Sequence, residues 1–167
     1  MKKLGLNGKK WLKGFHIFFC CAWVGAALAM NLLTFAANPA TGDELYAVQA
    51  SIKIIDDFII IPAALCTLFT GLLFSLLTNW GFFKFHWLTV KWVITVGTIL
   101  FGTFWLGPWV NGMTSIADLE RSGAFDNPTF LHFRNMNAWF GSTQALLLVL
   151  TVFISVFKPW GKRGEGK

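Results

Sequence analysis

The chain has 167 residues, of which 55% are hydrophobic, 17% aromatic and only 13% charged. A soluble domain of this size could not hide 18 Phe and 9 Trp in one small core and still carry enough surface charge, so the composition excludes a soluble globular protein. The formal net charge is +6, but the charged residues lie between apolar stretches and do not cluster on one surface, which argues against nucleic acid as a partner.

Four apolar stretches are each long enough to cross the hydrocarbon core of a lipid bilayer, which needs about 20 apolar residues. They cover about residues 11–36, 57–78, 86–110 and 136–157. Turn-forming residues separate them, with Pro39, Asn79 and Pro128 among the breaks. The sequence therefore predicts an all-α polytopic membrane protein, one membrane domain over residues 1–167 built as a four-transmembrane-helix up-down bundle.

The distribution of basic residues predicts the orientation. Most of the 14 Lys and Arg fall in the N-terminal segment, in the loop after the second helix or in the C-terminal tail: Lys2, Lys3, Lys9, Lys10, Lys13, Lys84, Lys158, Lys162, Arg163 and Lys167. By the positive-inside rule, both termini are expected in the cytoplasm, and the loops that follow the first and third helices on the outer side.

On the first helix, steps of three and four residues from His16 reach Cys20, Trp23, Asn31 and Thr34, so these side chains share a face that is expected to point into the bundle. His16 lies about one turn into this helix, and His86 opens the third helix at a similar depth. Two imidazoles on different helices could supply the axial ligands of a b-type haem iron. Alternatively, each ring lies at the membrane interface or bonds a backbone carbonyl.

Asp56 and Asp57 begin the second helix at its outer end. Consecutive helical residues diverge by about 100°, so only one is expected to face inward, and the register favours Asp57. Pro62 is expected to bend this helix and to free a carbonyl near Phe58. His132 and Arg134, just before the fourth helix, are candidates to pair with Asp57 in an outer polar site, where His132 could also hold a metal.

The third helix carries Lys91 on one stripe with Trp87, Thr95 and Thr98. A lysine at this depth is a candidate partner for a carboxylate, a haem propionate or a quinone carbonyl, or else it extends back to the inner interface. The fourth helix begins with an amide-rich side that includes Asn137, which interhelical hydrogen bonds would explain. Small residues such as Gly25, Gly71, Gly97 and Gly102 are expected where helices approach closely.

Two resemblances to bacterial membrane families follow from these motifs. The run from Trp11 to His16, followed by Trp23-Val24-Gly25, resembles the opening helix of small membrane protoporphyrinogen oxidases and of copper-resistance D proteins. The elements Asp56/Asp57, Pro62, Thr70-Gly71, Asn79-Trp80-Gly81, Trp87, Lys91 and Lys158-Pro159-Trp160 resemble a family described only as predicted integral membrane proteins of unknown function. The first resemblance implies a role for His16 and Lys91 in haem binding and activity, and both imply a bacterial inner membrane.

The favoured hypothesis is a bundle that binds b-type haem, or a porphyrin or quinone, for a redox role, with His16, His86, Lys91 and Trp23 as binding residues and a quinone or redox protein as partner. Porphyrin oxidation would make the protein an enzyme, a question that the sequence leaves open. The alternative is a non-enzymatic bundle, either an assembly subunit or a permease for a small solute or metal with Asp57 and His132 at its outer opening. Four helices are few for transport, so a permease would require a homo-oligomer.

Overall fold

The computed structural model describes residues 3–160, and this part of the chain is helical apart from short connecting segments. Lys2, Lys162, Arg163 and Lys167, which enter the orientation argument, lie outside the described residues. The helices form four long continuous rods, Leu6–Ala36, Gly42–Leu77, His86–Phe125 and Pro128–Phe157. Their α-helical parts are α1 (Leu6–Ala36), α2 (Gly42–Ile55), α3 (Ile61–Leu77), α4 (His86–Phe101), α5 (Gly107–Glu120) and α6 (Pro128–Phe157).

Two rods contain a wider π-helical turn. The first π segment (Asp56–Ile60) joins α2 to α3, and the second π segment (Gly102–Leu106) joins α4 to α5. A short 3-10 turn (Arg121–Phe125) follows α5. Each π segment is followed by a proline at the second position of the next helix, Pro62 in α3 and Pro108 in α5. The predicted distortion at Pro62 is therefore present, as a π turn on the N-terminal side of the proline.

Most of the residues that were predicted to form the two outer loops are helical, so this part of the prediction is wrong. Residues 42–55 form α2, because the Thr41 hydroxyl accepts a hydrogen bond from the Glu44 amide and caps the helix start. The fourth helix begins at Pro128, where Asn127 caps the amides of Thr129 and Phe130. These helical ends are too polar for a hydropathy criterion, which detects only the part of a helix that lies in lipid. His132 and Arg134 consequently lie within α6 and not before it.

Successive rods run antiparallel, and contacts at their ends show how they meet. The Leu4 amide donates to the Leu77 carbonyl, so the start of α1 lies beside the end of α3. Lys158, at the end of α6, lies over the Trp80 ring in the turn between α3 and α4. At the opposite end of the bundle, Arg121 approaches Asp43 at the start of α2. The first of these regions is called the terminal end below, and the second the loop end.

Two apolar clusters hold the rods together. Near the loop end, α2 packs against α5 and the start of α6, with a core formed by Leu45, Ile52, Val110, Met113, Ala117, Ala124 and Phe130. Towards the middle of the bundle, α1, α3 and α6 meet around Trp23, Ala27, Ala63, Ala64, Ala145 and Leu148. A hydrogen bond between Ser142 and Asn31 links α6 to α1 at this level. By contrast, α3 and α4 contact each other little.

The outer surface of the bundle is apolar around its circumference. Large side chains such as Phe18, Phe69, Val93 and Phe153 are more than half exposed on four different rods. Each rod is long and apolar enough to cross a membrane. Lipid removes the large penalty that water would impose on such a surface. The chain is a multi-pass membrane protein built as an all-α bundle.

Candidate functional site

His16 is half-buried where α1 packs against α3. Its Nδ1 lies 2.7 Å from the Thr70 hydroxyl, and its Nε2 lies 3.6 Å from the Cys20 thiol. The Thr70 hydroxyl has one proton, which it donates to the Cys66 or Thr67 carbonyl, so it accepts a hydrogen bond from His16 Nδ1–H. The Nε2 atom is then the acceptor for the thiol. Both nitrogens of this ring are engaged within the protein.

The other predicted haem ligand, His86, is exposed at the first position of α4. Three aromatic rings fill the space between His16 and the start of this helix. Phe74 meets His16 edge-on, Trp80 stacks on Phe74 with centroids 6.0 Å apart, and Trp87 contacts Trp80. In this arrangement His16 and His86 do not present two free nitrogens to a common metal.

Lys91 is half-buried on α4, close enough for its charge to act on the His16 ring and the Cys20 thiol. Within residues 3–160, the Lys91 ammonium makes no hydrogen bond or ion pair with another side chain. The stripe predicted for this helix does face the bundle, since Trp87 and Thr98 are both buried. An unpaired ammonium at this position is unusual in a membrane helix.

A cavity lies away from His16 and Lys91, at the level of the two π segments. This cavity of about 400 Å³ is lined by all four rods, and its wall includes Trp23, Asn31 and Thr34 of α1 and Asn137 and Gln144 of α6. The part of the predicted inward face from Trp23 to Thr34 therefore lines this cavity, whereas His16 and Cys20 do not. The volume falls in the range of about 300–1,000 Å³ that is typical of small-molecule sites.

The cavity opens sideways between the second and third rods. Ile61 and Leu65 of α3 line it although they are 47% and 53% exposed, and Thr103 and Pro108 on the facing rod are exposed as well. The opening exists because α3 and α4 diverge while α2 and α5 stay in contact. On a membrane-embedded bundle, a lateral opening of this kind faces the acyl chains.

The two π segments leave backbone carbonyls without a helical donor. The Ile61 amide donates five residues back, to the Asp56 carbonyl, and Pro62 has no N–H. The Asp57 carbonyl thus has no donor at either the fourth or the fifth position ahead. In the second π segment the Gly107 amide donates to Gly102 and Pro108 follows, so the Thr103 carbonyl is in the same position. Asp57 and Thr103 both line the cavity.

Several polar side chains in the cavity wall lack a protein partner. Among the described residues, the side chains of Asp56, Asn137 and Gln144 make no hydrogen bond or ion pair, and the buried Trp23 Nε1–H has no acceptor. Trp23 is only 3% exposed and Asn137 only 9%. Unpaired polar groups inside a membrane protein carry a large free-energy penalty unless a ligand or water satisfies them.

The predicted outer polar site has different partners from those expected. Asp57 pairs with Lys53 at 2.8 Å, and Lys53 also donates to Asn111 on α5, so this lysine bridges two rods at the loop end of the cavity. His132 and Arg134 are exposed on α6, and neither pairs with Asp57. The expectation that only one aspartate faces inward is also wrong, because the wider π turn brings both Asp56 and Asp57 to the cavity.

No group of three or more His, Cys, Asp or Glu side chains within residues 3–160 is placed to hold a metal ion. The cavity instead depends on Asp56, Asn137 and Gln144, which the sequence argument did not select as binding residues. A signal for them existed, since acidic and amide side chains at membrane depth are rare and carry function. Comparison with protein-family models, with curated proteins and with solved structures finds no match.

Proposed function

We propose that this membrane protein binds a lipid-soluble molecule of the quinone class in the cavity between its four rods, in support of a redox role in the bacterial inner membrane. The observation that carries the proposal is the set of unpartnered polar groups, among them Asp56, Asn137 and Gln144, in the wall of a cavity that opens towards lipid. A quinone has an apolar body, oxygen atoms at opposite ends, and access only through the bilayer, and these properties match the site.

The proposed orientation places both termini in the cytoplasm, as the excess of Lys and Arg at the terminal end favours. The cavity then lies in the outer half of the membrane, near the first π segment.

Binding is tested in lipid nanodiscs with a tritiated benzoquinone that carries a decyl tail, with empty nanodiscs subtracted. We expect saturable binding near one molecule per chain. Leu65→Trp places a large ring at the lateral opening and should weaken binding about tenfold or more. Leu72→Trp is the matched control, because Leu72 lies two turns further along α3, is also exposed and does not line the cavity. Absence of saturable binding, or equal effects of both variants, would overturn the proposal.

A bound b-type haem is the second candidate, favoured by the unpaired Lys91 ammonium close to His16, which suits a propionate. As arranged, His16 and His86 do not fit as an axial pair, so haem would require His16 to exchange its Thr70 contact for iron. An absorption spectrum of the protein with added haemin, before and after dithionite, tests this. A Soret band that is lost in His16→Ala supports it, and a protein that takes up no haemin contradicts it.

A further inference from the structure

The cavity is elongated along the bundle, and its two ends differ in polarity. On α1 its wall runs from Trp23 to Thr34, which lie about 16 Å apart along the helix. Both carboxyl side chains and most of the amide side chains of the wall lie towards the loop end: Asn31, Asp56, Asp57, Asn111 and Asn137. The wall towards the terminal end is mainly apolar: Trp23, Ala27, Ala64, Leu65, Ile99 and Ala145. These regions are called the polar end and the apolar end of the cavity.

The polar end has free hydrogen-bonding groups of both kinds. Among the described residues, the side chains of Asp56 and Asn137 have no protein partner. Asn111 accepts a hydrogen bond from Lys53 through its Oδ1 atom, so its amide N–H groups stay available as donors. Asn31, by contrast, already makes two hydrogen bonds within the protein. An oxygen atom of a ligand can therefore find a partner at this end whether it donates or accepts.

Gln144 lies between the two ends. Its amide nitrogen is 3.6 Å from the position that a Cβ atom on Gly102 would take, so this side chain extends from α6 towards the second π segment. Along its rod, Gly102 lies between Thr98 at the apolar end and Asn111 at the polar end. A ring that bonds the polar end through one oxygen can thus meet Gln144 through its other oxygen, on the side nearer the apolar end.

The lateral opening lies on the apolar side of the polar groups. Its edge on α3 is formed by Ile61 and Leu65, which follow Asp57 along the rod in the direction away from the loop end. A hydrocarbon tail that leaves here enters the acyl chains towards the middle of the bilayer. The reverse orientation would place the tail against carboxyl and amide groups and the ring oxygens against an apolar wall, which leaves polar groups unsatisfied.

We propose that the cavity holds its ligand in one orientation, with the ring at the polar end and the hydrocarbon tail leaving through the lateral opening towards the middle of the bilayer. The inference rests on the proposed quinone-class function and adds to it the position of the head group. Asn137 is then a positioning residue for the ring, and Leu65 contacts the tail. With the loop end on the outer side, the ring lies towards the outer surface of the membrane.

Photolabelling in lipid nanodiscs tests the orientation on the unaltered protein. One probe is a decyl benzoquinone with an azide on the ring, and the other carries a diazirine at the end of its tail. Mass spectrometry of the peptides locates the label that an excess of unmodified decyl benzoquinone prevents. We expect the ring probe to label the chain near Asp56, Asn111 or Asn137. The tail probe should label α3 or α4 on the terminal-end side of Leu65 and Ile99.

A substitution at the polar end gives an independent measurement. Asn137→Leu replaces a free amide by an apolar side chain of similar size, and we expect the decyl benzoquinone to bind about tenfold more weakly, the effect of one hydrogen bond to a buried group. In the reverse orientation the leucine would contact the tail and leave the affinity unchanged or higher. Asn135→Leu is the matched control, because Asn135 is exposed on the same helix and does not line the cavity.

The outcomes separate the two proposals. If neither saturable binding nor competed labelling is found, the proposed function fails. If the quinone binds but the ring probe labels the apolar end, or labels both ends equally, the proposed function stands and the orientation is overturned. Should Asn137→Leu fail to fold, the labelling of the unaltered protein decides the inference by itself.

Discussion

At the residue scale, the glycines of this bundle differ in how closely neighbouring helices approach them. Close packing was expected at Gly25 and Gly97, yet a Cβ atom at either position would meet nothing within 4 Å. The expected contacts do exist at Gly71, which faces His16, and at Gly102, which faces Gln144. The tightest position is Gly42, where a Cβ atom would lie 2.2 Å from the Ser122 amide nitrogen.

We expect Gly42→Ala to lower the free energy of unfolding by about 1–3 kcal/mol, because the new methyl group meets backbone atoms that no rotamer change can move. Gly25→Ala is the matched control and should leave stability unchanged or raise it by up to about 1 kcal/mol, since alanine favours the helix. Unfolding in SDS followed by circular dichroism measures both. A Gly42→Ala protein as stable as the control would contradict the close approach of α2 to the 3-10 turn.

At the element scale, the two π segments determine the cavity. A π turn adds one residue to a helix, widens it and rotates the following residues relative to a regular α-helix. The rotation brings Asp56 and Asp57 to one wall, although consecutive α-helical residues would diverge too far. The proline after each segment prevents the missing hydrogen bond from forming, so a carbonyl at Asp57 and another at Thr103 stay available.

Pro62→Ala supplies an N–H beside the Asp57 carbonyl. We expect a higher free energy of unfolding, by up to about 3 kcal/mol, because proline is disfavoured inside a helix. Pro39→Ala lies in the non-helical segment 37–41 and offers no helical carbonyl to satisfy, so it serves as the control. A Pro62→Ala protein that is no more stable than the unaltered protein would show that the Asp57 carbonyl gains nothing from the new N–H.

At the scale of the whole molecule, the bundle has a closed and an open half. Near the loop end, α2, α5 and the start of α6 share a buried core, and Lys53 ties the second rod to the third through Asp57 and Asn111. By contrast, α3 and α4 make few contacts with each other. The lateral opening of the cavity is a consequence of this divergence, which gives a lipid-soluble ligand a path that does not cross the loop-end core.

The membrane class, the four rods and the inward face of α1 follow from the sequence because apolar length and helical periodicity are local properties. Pro62 likewise indicated a distortion at its position. The polar helical ends escaped prediction because they lie outside the apolar windows. Only the tertiary structure decided that aromatic rings occupy the space beside His16, that Lys53 and not Arg134 pairs with Asp57, and that Asp56 shares a cavity with Asn137. These depend on which rods diverge and how far each π turn rotates its helix, and both are set by contacts between residues far apart in the chain.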